Sequence, residues 1–432
     1  MVRLSSAALS IHAIVLVLFL LHLHVGVAAF PLSKDSSSYV LQTDEDLNLN
    51  QNNQNCTDHP PRQHLYDVVV TELDAVGNHN ASLISRINGS SDFEFNFNPA
   101  WFPVQQQQHD SHDTVDGLIV RLVDSQKHPE WVNAGALAVV PVNLNNKPMA
   151  VRNKVTESMV TWAGAEQQPT PTQPWGAADP RITYRPKTQQ YYLTWDNCTK
   201  NCWPHRVTYL STTDNPLDPQ GWTFHGPVFP FAYTSGAALL FRDDTDKTHN
   251  DNNTHPTHLA FICNSNTADT IYIAESKNDG LNWTIPKDPS RRILMKGRPG
   301  CWDAKGVAAG PQPERIPTTG DYLLIYNIDT GWPYHPNPLG RCAIGWAILD
   351  GKDPTKIVAR AIKPLLIASR PWETCPNHHR GDSDCQVPMV VFASGLKPIG
   401  NNQYLVIYGA GDAVVGVSKI QVVTRNREGT NQ

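Results

Sequence analysis

Short β-branched and aromatic runs recur along this chain from residue 64 onward, and each is followed by a loop and a second run of small and β-branched residues. Leu259–Ile262 leads to Ile271–Ser276, Leu323–Tyr326 to Ala343–Ile348, and Tyr404–Tyr408 to Val414–Ser418. Tyr66–Thr71, Leu118–Leu122 and Tyr191–Trp195 are further strand candidates. Long amphipathic helical windows are absent, so the periodicity argues for β-structure throughout. Units of roughly 50 to 70 residues suit a propeller better than a sandwich, in which turn signals fall about every 8–12 residues. Five such units stand at about 92–155, 175–228, 232–294, 300–368 and 386–425. The predicted fold is therefore an all-β, five-bladed β-propeller, with Tyr66–Glu72 supplying the strand that closes the ring. A propeller brings the innermost strand of every blade to one axis, so functional side chains can come from distant positions.

The start of the chain reads differently. Arg3 precedes the apolar run Ile14–Leu21, and small residues follow at Val27, Ala28 and Ala29. Basic start, short apolar centre and small residues at a cut site are the parts of a secretory signal. The expected organisation is a signal peptide over 1–29, a flexible polar leader over 30–63 and a propeller domain over 64–432. No later segment approaches the roughly 20 apolar residues of a membrane helix, so no membrane span is expected after cleavage. Asn-X-Ser/Thr triplets at Asn55, Asn80, Asn88, Asn197, Asn252 and Asn282 mark acceptors for N-glycosylation. The eight cysteines are an even number, as disulfide pairing prefers, and Cys198–Cys202 and Cys375–Cys385 are each close enough to staple one loop. Zinc-ligand spacing is lacking, so neither a metal nor a cofactor is expected. These features together predict a secreted, disulfide-bonded glycoprotein.

Composition narrows the partner. The formal charge is −5 with no basic stripe, which argues against nucleic acid. Twelve tryptophans are compatible with sugar binding, although propeller cores also use them.

Several segments resemble glycoside hydrolase family 130, in chain order from about residue 92 to 425. Asn98-Pro99-Ala100 with the later Arg121 resembles the opening of that family. Gly176–Ile182, containing Asp179-Pro180-Arg181, resembles its Glu-Asp-Pro-Arg motif, and Ser235–Leu240 falls where the family has Lys-Asp-Ala-Leu-Phe-Pro. Trp302, Asp303, Lys305 and Gly306, followed by Gly310–Pro313 and Tyr322–Tyr326, resemble its Trp-Glu stretch. Trp346–Asp350, Asp353, Arg360, Trp372-Glu373 and Tyr408–Asp412 continue the collinear match. The family consists of five-bladed propellers that cleave β-mannosides with phosphate or with water.

The resemblance implies an inverting glycosidase acting on an oligosaccharide or polysaccharide, with Asp179 as the proton donor working through a sugar hydroxyl. Asp303 then takes the place of the family's second carboxylate, with Glu314 and Asp329 as alternatives nearby. Asn98, Arg121, Arg181, Lys305, Asn327 and Asp412 are the implied sugar ligands. Three departures matter. Ala178 replaces a glutamate, Asn327 stands where phosphorolytic members carry a histidine, and Phe261–Cys263 lacks an arginine. Phosphate needs convergent cationic donors, and these losses, with secretion, favour hydrolysis. Phosphorolysis and sugar binding without turnover are the competing readings. A more distant arabinan- or fructan-type propeller would draw its base from Asp92 or Glu94.

Overall fold

The computed structural model describes residues 60–73, 95–104, 116–123, 136–142, 144, 177–197, 206–218, 221–243, 258–264, 269–277, 279–329, 342–375 and 387–425. All of them fall within the unit Leu49–Gln432. The signal and most of the leader, the Gln105–Asp113 insert, Asp92, Glu94 and four of the glycosylation triplets lie outside the described residues.

A strand near the start of the described chain, β1 (Tyr66–Leu73), precedes the blades. The first blade contains β2 (Phe95–Pro103), β3 (Asp116–Val123) and β4 (Ala136–Val142). The second contains β5 (Ala177–Arg185), β6 (Gln190–Asn197), β7 (Val207–Thr213) and β8 (Thr223–Gly226). The third runs through β9 (Ser235–Leu240), β10 (His258–Cys263), β11 (Thr270–Ser276) and β12 (Ile293–Lys296). In the fourth, the innermost strand is broken into β13 (Ala308–Ala309) and β14 (Glu314–Arg315), followed by β15 (Tyr322–Asp329), β16 (Cys342–Leu349) and β17 (Ile357–Arg360). A one-turn helix, α1 (Pro371–Thr374), then leads to β18 (Val391–Gly400), β19 (Gln403–Ala410) and β20 (Val414–Thr424) of the fifth. Among the described residues these form five separate antiparallel sheets, the arrangement of a five-bladed β-propeller.

Ring closure joins the two ends of the domain. β1 adds to the outer edge of the fifth blade, with Tyr66 opposite Thr424. This covers an edge that would otherwise offer unpaired N–H and C=O groups to another chain. Arg62 and Tyr66 both donate to Asp321, and Arg62 also reaches Asp350, so the closing strand is tied to the fourth blade as well.

Inner strands such as β10 and β16 are buried at every position, which is why the sequence shows continuous apolar runs there instead of clean alternation. In β3, Leu118, Val120 and Leu122 pack against Leu405, Ile407, Val415 and Val417 of the fifth blade. Ile119, pointing the other way, packs with Ile182 and Leu193 of the second. Most described tryptophans serve this packing. Trp195, Trp283, Trp302 and Trp346 are all buried core.

The even cysteine count does not mean that every cysteine among the described residues is in a disulfide. Cys263 and Cys342 are buried thiols, while Cys301 and Cys375 are disulfide-bonded. Cys263 shows why: it faces the carbonyls of Asn264 and Val307 inside the third blade, and burial followed by the Asp196 charge pushes its thiol up to about 12. No helix among the described residues is long and apolar enough to cross a membrane.

Candidate active site

Two Xaa-Pro dipeptides on neighbouring innermost strands build the centre of the site. Asn98-Pro99 interrupts the β2 register between Phe97 and Ala100, and Asp179-Pro180 interrupts the β5 register between Ala178 and Arg181. Asn98 and Asp179 adopt left-handed backbone, with φ of 50° and 48°. Asn and Asp tolerate this conformation better than other side-chain-bearing residues, and a bulge re-aims the side chain it carries. Both side chains turn to one point, where Asn98 Nδ2 donates to Asp179 Oδ1 at 2.7 Å. The approach requires Gly409, since a Cβ there would lie 2.3 Å from Asn98 Oδ1.

Three arginines surround the same carboxylate. Arg121, on β3, donates to Asp179 Oδ1 at 3.1 Å, and Arg206, just before β7, donates to Oδ2 at 2.8 Å. Arg181 instead spans the axis. It bonds the backbone oxygens of Asp179, Ala309 and Gly310 at 2.7 to 3.1 Å, locking the second blade to the fourth. Gly236 makes room for this strut, because a Cβ there would meet the guanidinium at 2.7 Å. Burial on its own raises the Asp179 carboxyl. Arg206, then Arg121 and Arg181, outweigh burial and hold it well below the usual carboxylate range. Arg206 is the most exposed of these partners, its side chain retaining 14% of its accessibility against 5% for Arg121.

Asp412 joins the cluster through charge. It is half-buried in the β19–β20 turn, with φ of 50°, and its field reaches both Arg121 and Arg206. Asp196, near the end of β6, is fully buried, and its Oδ2 lies 3.8 Å from Arg206 Nη1. Neither Arg206 nor Asp196 stands out in the sequence. Arg206 follows a stretch with no recognisable motif, and Asp196 ends a run that reads simply as a buried strand.

The other residues proposed from sequence are placed elsewhere. Asp303 is 0% exposed and takes donors from Arg298, Tyr326 and Arg360 at 2.7 to 3.0 Å. So buried and so held, this carboxylate is out of reach of a water molecule in the axial site, and none of its partners belongs to the Asp179 cluster. Asn327 clamps blade to blade, donating to the Ala393 carbonyl at 2.9 Å and accepting from the Ala393 N–H at 2.7 Å. Lys305 is exposed. Glu314 is half-buried on β14, accepts from Gln312, and is raised by burial to about 7. Asp329 ends β15.

A sequence model of a family described as β-1,4-mannooligosaccharide phosphorylase matches residues 138–425, from β4 of the first blade through β20 of the fifth. The chain belongs to glycoside hydrolase family 130. Within family 130, a β-1,2-mannobiose phosphorylase of Thermoanaerobacter sp. (strain X514) is 33% identical over 129 residues, covering 29% of this chain and 36% of that protein. A 1,2-β-oligomannan phosphorylase of the same organism is 29% identical over 153 residues, covering 35% of this chain and 43% of that protein. The match thus spans less than half the length of either curated relative. The solved β-1,2-mannobiose phosphorylase of Listeria innocua shares the fold at 15% identity and a TM-score of 0.57, over 82% of this chain and 96% of that one. A glycosyl hydrolase of Bacteroides ovatus shares it at 18% identity and a TM-score of 0.54, over 84% and 96%. A further structure belongs to work reporting that this family of mannoside phosphorylases contains glycoside hydrolases targeting β-1,2 mannosidic linkages in Candida mannan. It aligns at 20% identity and a TM-score of 0.53, over 82% and 94%.

Proposed function

We propose that this protein cleaves β-mannosidic bonds in oligosaccharides using inorganic phosphate as the acceptor. One observation carries the reading: the Asp179 carboxylate is held between Arg121 and Arg206, and Arg206 retains contact with solvent. Counting cations in the sequence suggested that the donors for phosphate were lost. Arg206 restores one, and paired guanidinium groups suit phosphate oxygens.

The chemistry follows from the charges. An ionised Asp179 cannot donate a proton, and with the arginines turned on it the carboxyl stays ionised. An arriving phosphate competes for Arg206 and Arg121. As they turn to the anion, the carboxyl's proton affinity rises and it can carry the proton that the leaving oxygen needs. A phosphate oxygen then bonds to the anomeric carbon from the face opposite the leaving group as the glycosidic C–O bond breaks. The leaving oxygen takes the proton, directly or through a sugar hydroxyl, and the products are a mannosyl phosphate and the shortened sugar. Phosphoryl groups are not transferred, so the arginines act on charge and position alone.

Hydrolysis is the second reading, and Asp412 favours it. This half-buried carboxylate beside Arg121 and Arg206 is a candidate to activate water. The two readings separate in one assay, with β-mannobioses and longer β-mannosides incubated with and without phosphate and the products read by phosphorus NMR. A sugar phosphate formed only with phosphate present supports the proposal. Equal release of free mannose without phosphate overturns it, and retained glycan affinity with no release points to binding alone.

Passage through the secretory route is proposed separately. The exposed Asn282 supports it, as an acceptor open to modification. Asn197 is a poorer acceptor, because it is half-buried and its Nδ2 donates to Tyr209 at 3.0 Å, against a longer 3.4 Å bond from the exposed Asn282 to Asp279. A mass shift on enzymatic deglycosylation of the protein from its natural cells tests this, and an unchanged mass counts against it. An extracellular location would make a sugar phosphate hard to recover, so the acceptor assay is to be read independently of compartment.

A further inference from the structure

Asp196 has no part in the reaction just described, yet it is the most deeply buried charge beside it. Its Oδ1 accepts from Thr208 Oγ1 at 2.8 Å and from the Gly236 N–H at 2.9 Å. Its Oδ2 accepts from Ser235 Oγ at 2.8 Å. These donors are neutral and come from β7 and β9. They fasten the second blade to the third, but an asparagine would do so equally well. Its carbonyl would accept from Thr208 and Gly236, and its amide would donate to the Ser235 hydroxyl. Burying an ionisable group where an amide would serve is costly, so the charge calls for a reason of its own.

Arg206 supplies that reason. Its Nη1 makes a 2.8 Å bond to Asp179 and stands 3.8 Å from Asp196, so one guanidinium lies between two carboxylates. We infer that Asp196 is a positioning residue that steers Arg206 and limits the hold of the arginine cluster on an anionic acceptor.

With Asp179, Asp196 and Asp412 all ionised, the charges of Arg121, Arg181 and Arg206 are balanced, and a doubly charged anion meets little net attraction. Neutralising Asp196 leaves the arginines in excess. The groups facing it are Asp179 and Arg181 on β5, Arg206 before β7 and Cys263 on β10. Burial, and next the Asp179 charge, pushes the Asp196 carboxyl up, so acidification neutralises Asp196 before Asp179.

The test uses the full chain and sulfate, which stays a dianion from about pH 5 to about pH 8. Sulfate affinity is measured by isothermal titration for the native protein and for Asp196→Asn. The expected result is binding on the order of tenfold tighter in the variant at neutral pH, as for removal of one like charge at close range. The native protein should also bind sulfate more tightly as pH falls, and the variant should not follow. In turnover, KM for phosphate should fall without a rise in kcat. Equal sulfate affinity and equal pH dependence in the two proteins would overturn the inference and leave Asp196 a fastener. If Asp196→Asn does not fold, Ser235→Ala keeps the charge but removes one donor, which raises the carboxyl's proton affinity. The rise in sulfate binding should then begin at higher pH, and an unmoved profile is equally fatal. The inference rests on the proposed phosphorolysis only for the identity of the natural acceptor. Sulfate binding is read without turnover, so sugar release that ignores phosphate would sink that reading and leave this result standing.

Discussion

Asn98 donates a 2.7 Å hydrogen bond to Asp179 across the boundary between the first and second blades. The two residues occupy matching places on successive innermost strands, each with left-handed backbone, each before a proline, each at a break in strand register. The device extends around the axis. β9 has an extra residue at Gly236, with φ of 62°, and β18 has one at Ser394. Left-handed backbone at the non-glycine residues Asn98 and Asp179 is costly, of order 1–3 kcal/mol per residue, and concentrates where a side chain must be aimed.

Removing the carboxylate tests the centre of the site. Asp179→Asn keeps the shape and the Arg121 contact through its carbonyl, but it has no proton to give and no charge to hold Arg206. Turnover of β-mannosides is expected to fall by about 10²–10⁴-fold, the usual worth of a positioned proton donor. Thermal unfolding should show a folded protein. Native-like turnover in a folded variant would remove Asp179 from the reaction.

Arg206 governs when Asp179 can hold a proton. It is the strongest of the charges lowering that carboxyl, so Arg206→Gln raises the folded-state value. The limb of the kcat/KM profile on which activity falls as Asp179 loses its proton should therefore move to higher pH. KM for phosphate should rise by about tenfold or more, because a charge-assisted bond to the anion is lost. Profiles measured at fixed mannoside decide this, and an unmoved limb would show that Arg206 does not set the donor.

Gly236 is needed for both its backbone and its lack of a side chain. In Gly236→Ala the new methyl meets Arg181 at 2.7 Å in a left-handed conformation. Destabilisation of about 1–3 kcal/mol is expected from the crowding and the φ penalty. Activity should fall with it, because Arg181 ties β5 to the fourth blade. Denaturant unfolding with the midpoint unchanged would contradict this packing.

Glu314 gives the fold a pH dependence of its own. Burial raises its carboxyl from 4.5 to about 7. Between these values the folded protein retains a proton that the unfolded chain has released, so this group's contribution to stability falls as pH rises from about 4.5 to about 7 and is level above that. Glu314→Gln should flatten this part of the Tm profile and be the more stable protein at pH 7 and above. Parallel profiles for the two proteins would show that Glu314 is not buried against ionisation.

Much of the architecture was legible along the chain. Continuous apolar runs such as Leu323–Tyr326 and Tyr404–Tyr408 mark strands buried on both faces, and their spacing gave the blades and the closing role of Tyr66–Glu72. Asn98, Arg121, Asp179, Arg181 and Asp412 could be singled out because local motifs carry them, and the structure brings these five together. Asp303 and Asn327 sit in equally motif-like surroundings, yet they face Arg298 and Arg360 or the Ala393 backbone instead. Strand residues alternate between faces, and sequence spacing does not say which face meets the axis and which meets the next blade. Arg206 and Asp196 were invisible for the opposite reason. Nothing beside them in the chain marks them, and their meaning arises only where the ends of β6 and β7 meet Asp179 from β5. What the sequence by itself determined was the set of strands and their order, because burial of apolar area is written locally. Tertiary structure alone decided which charges share one low-dielectric centre, because that depends on bulges and glycine clearances contributed by blades far apart in the chain.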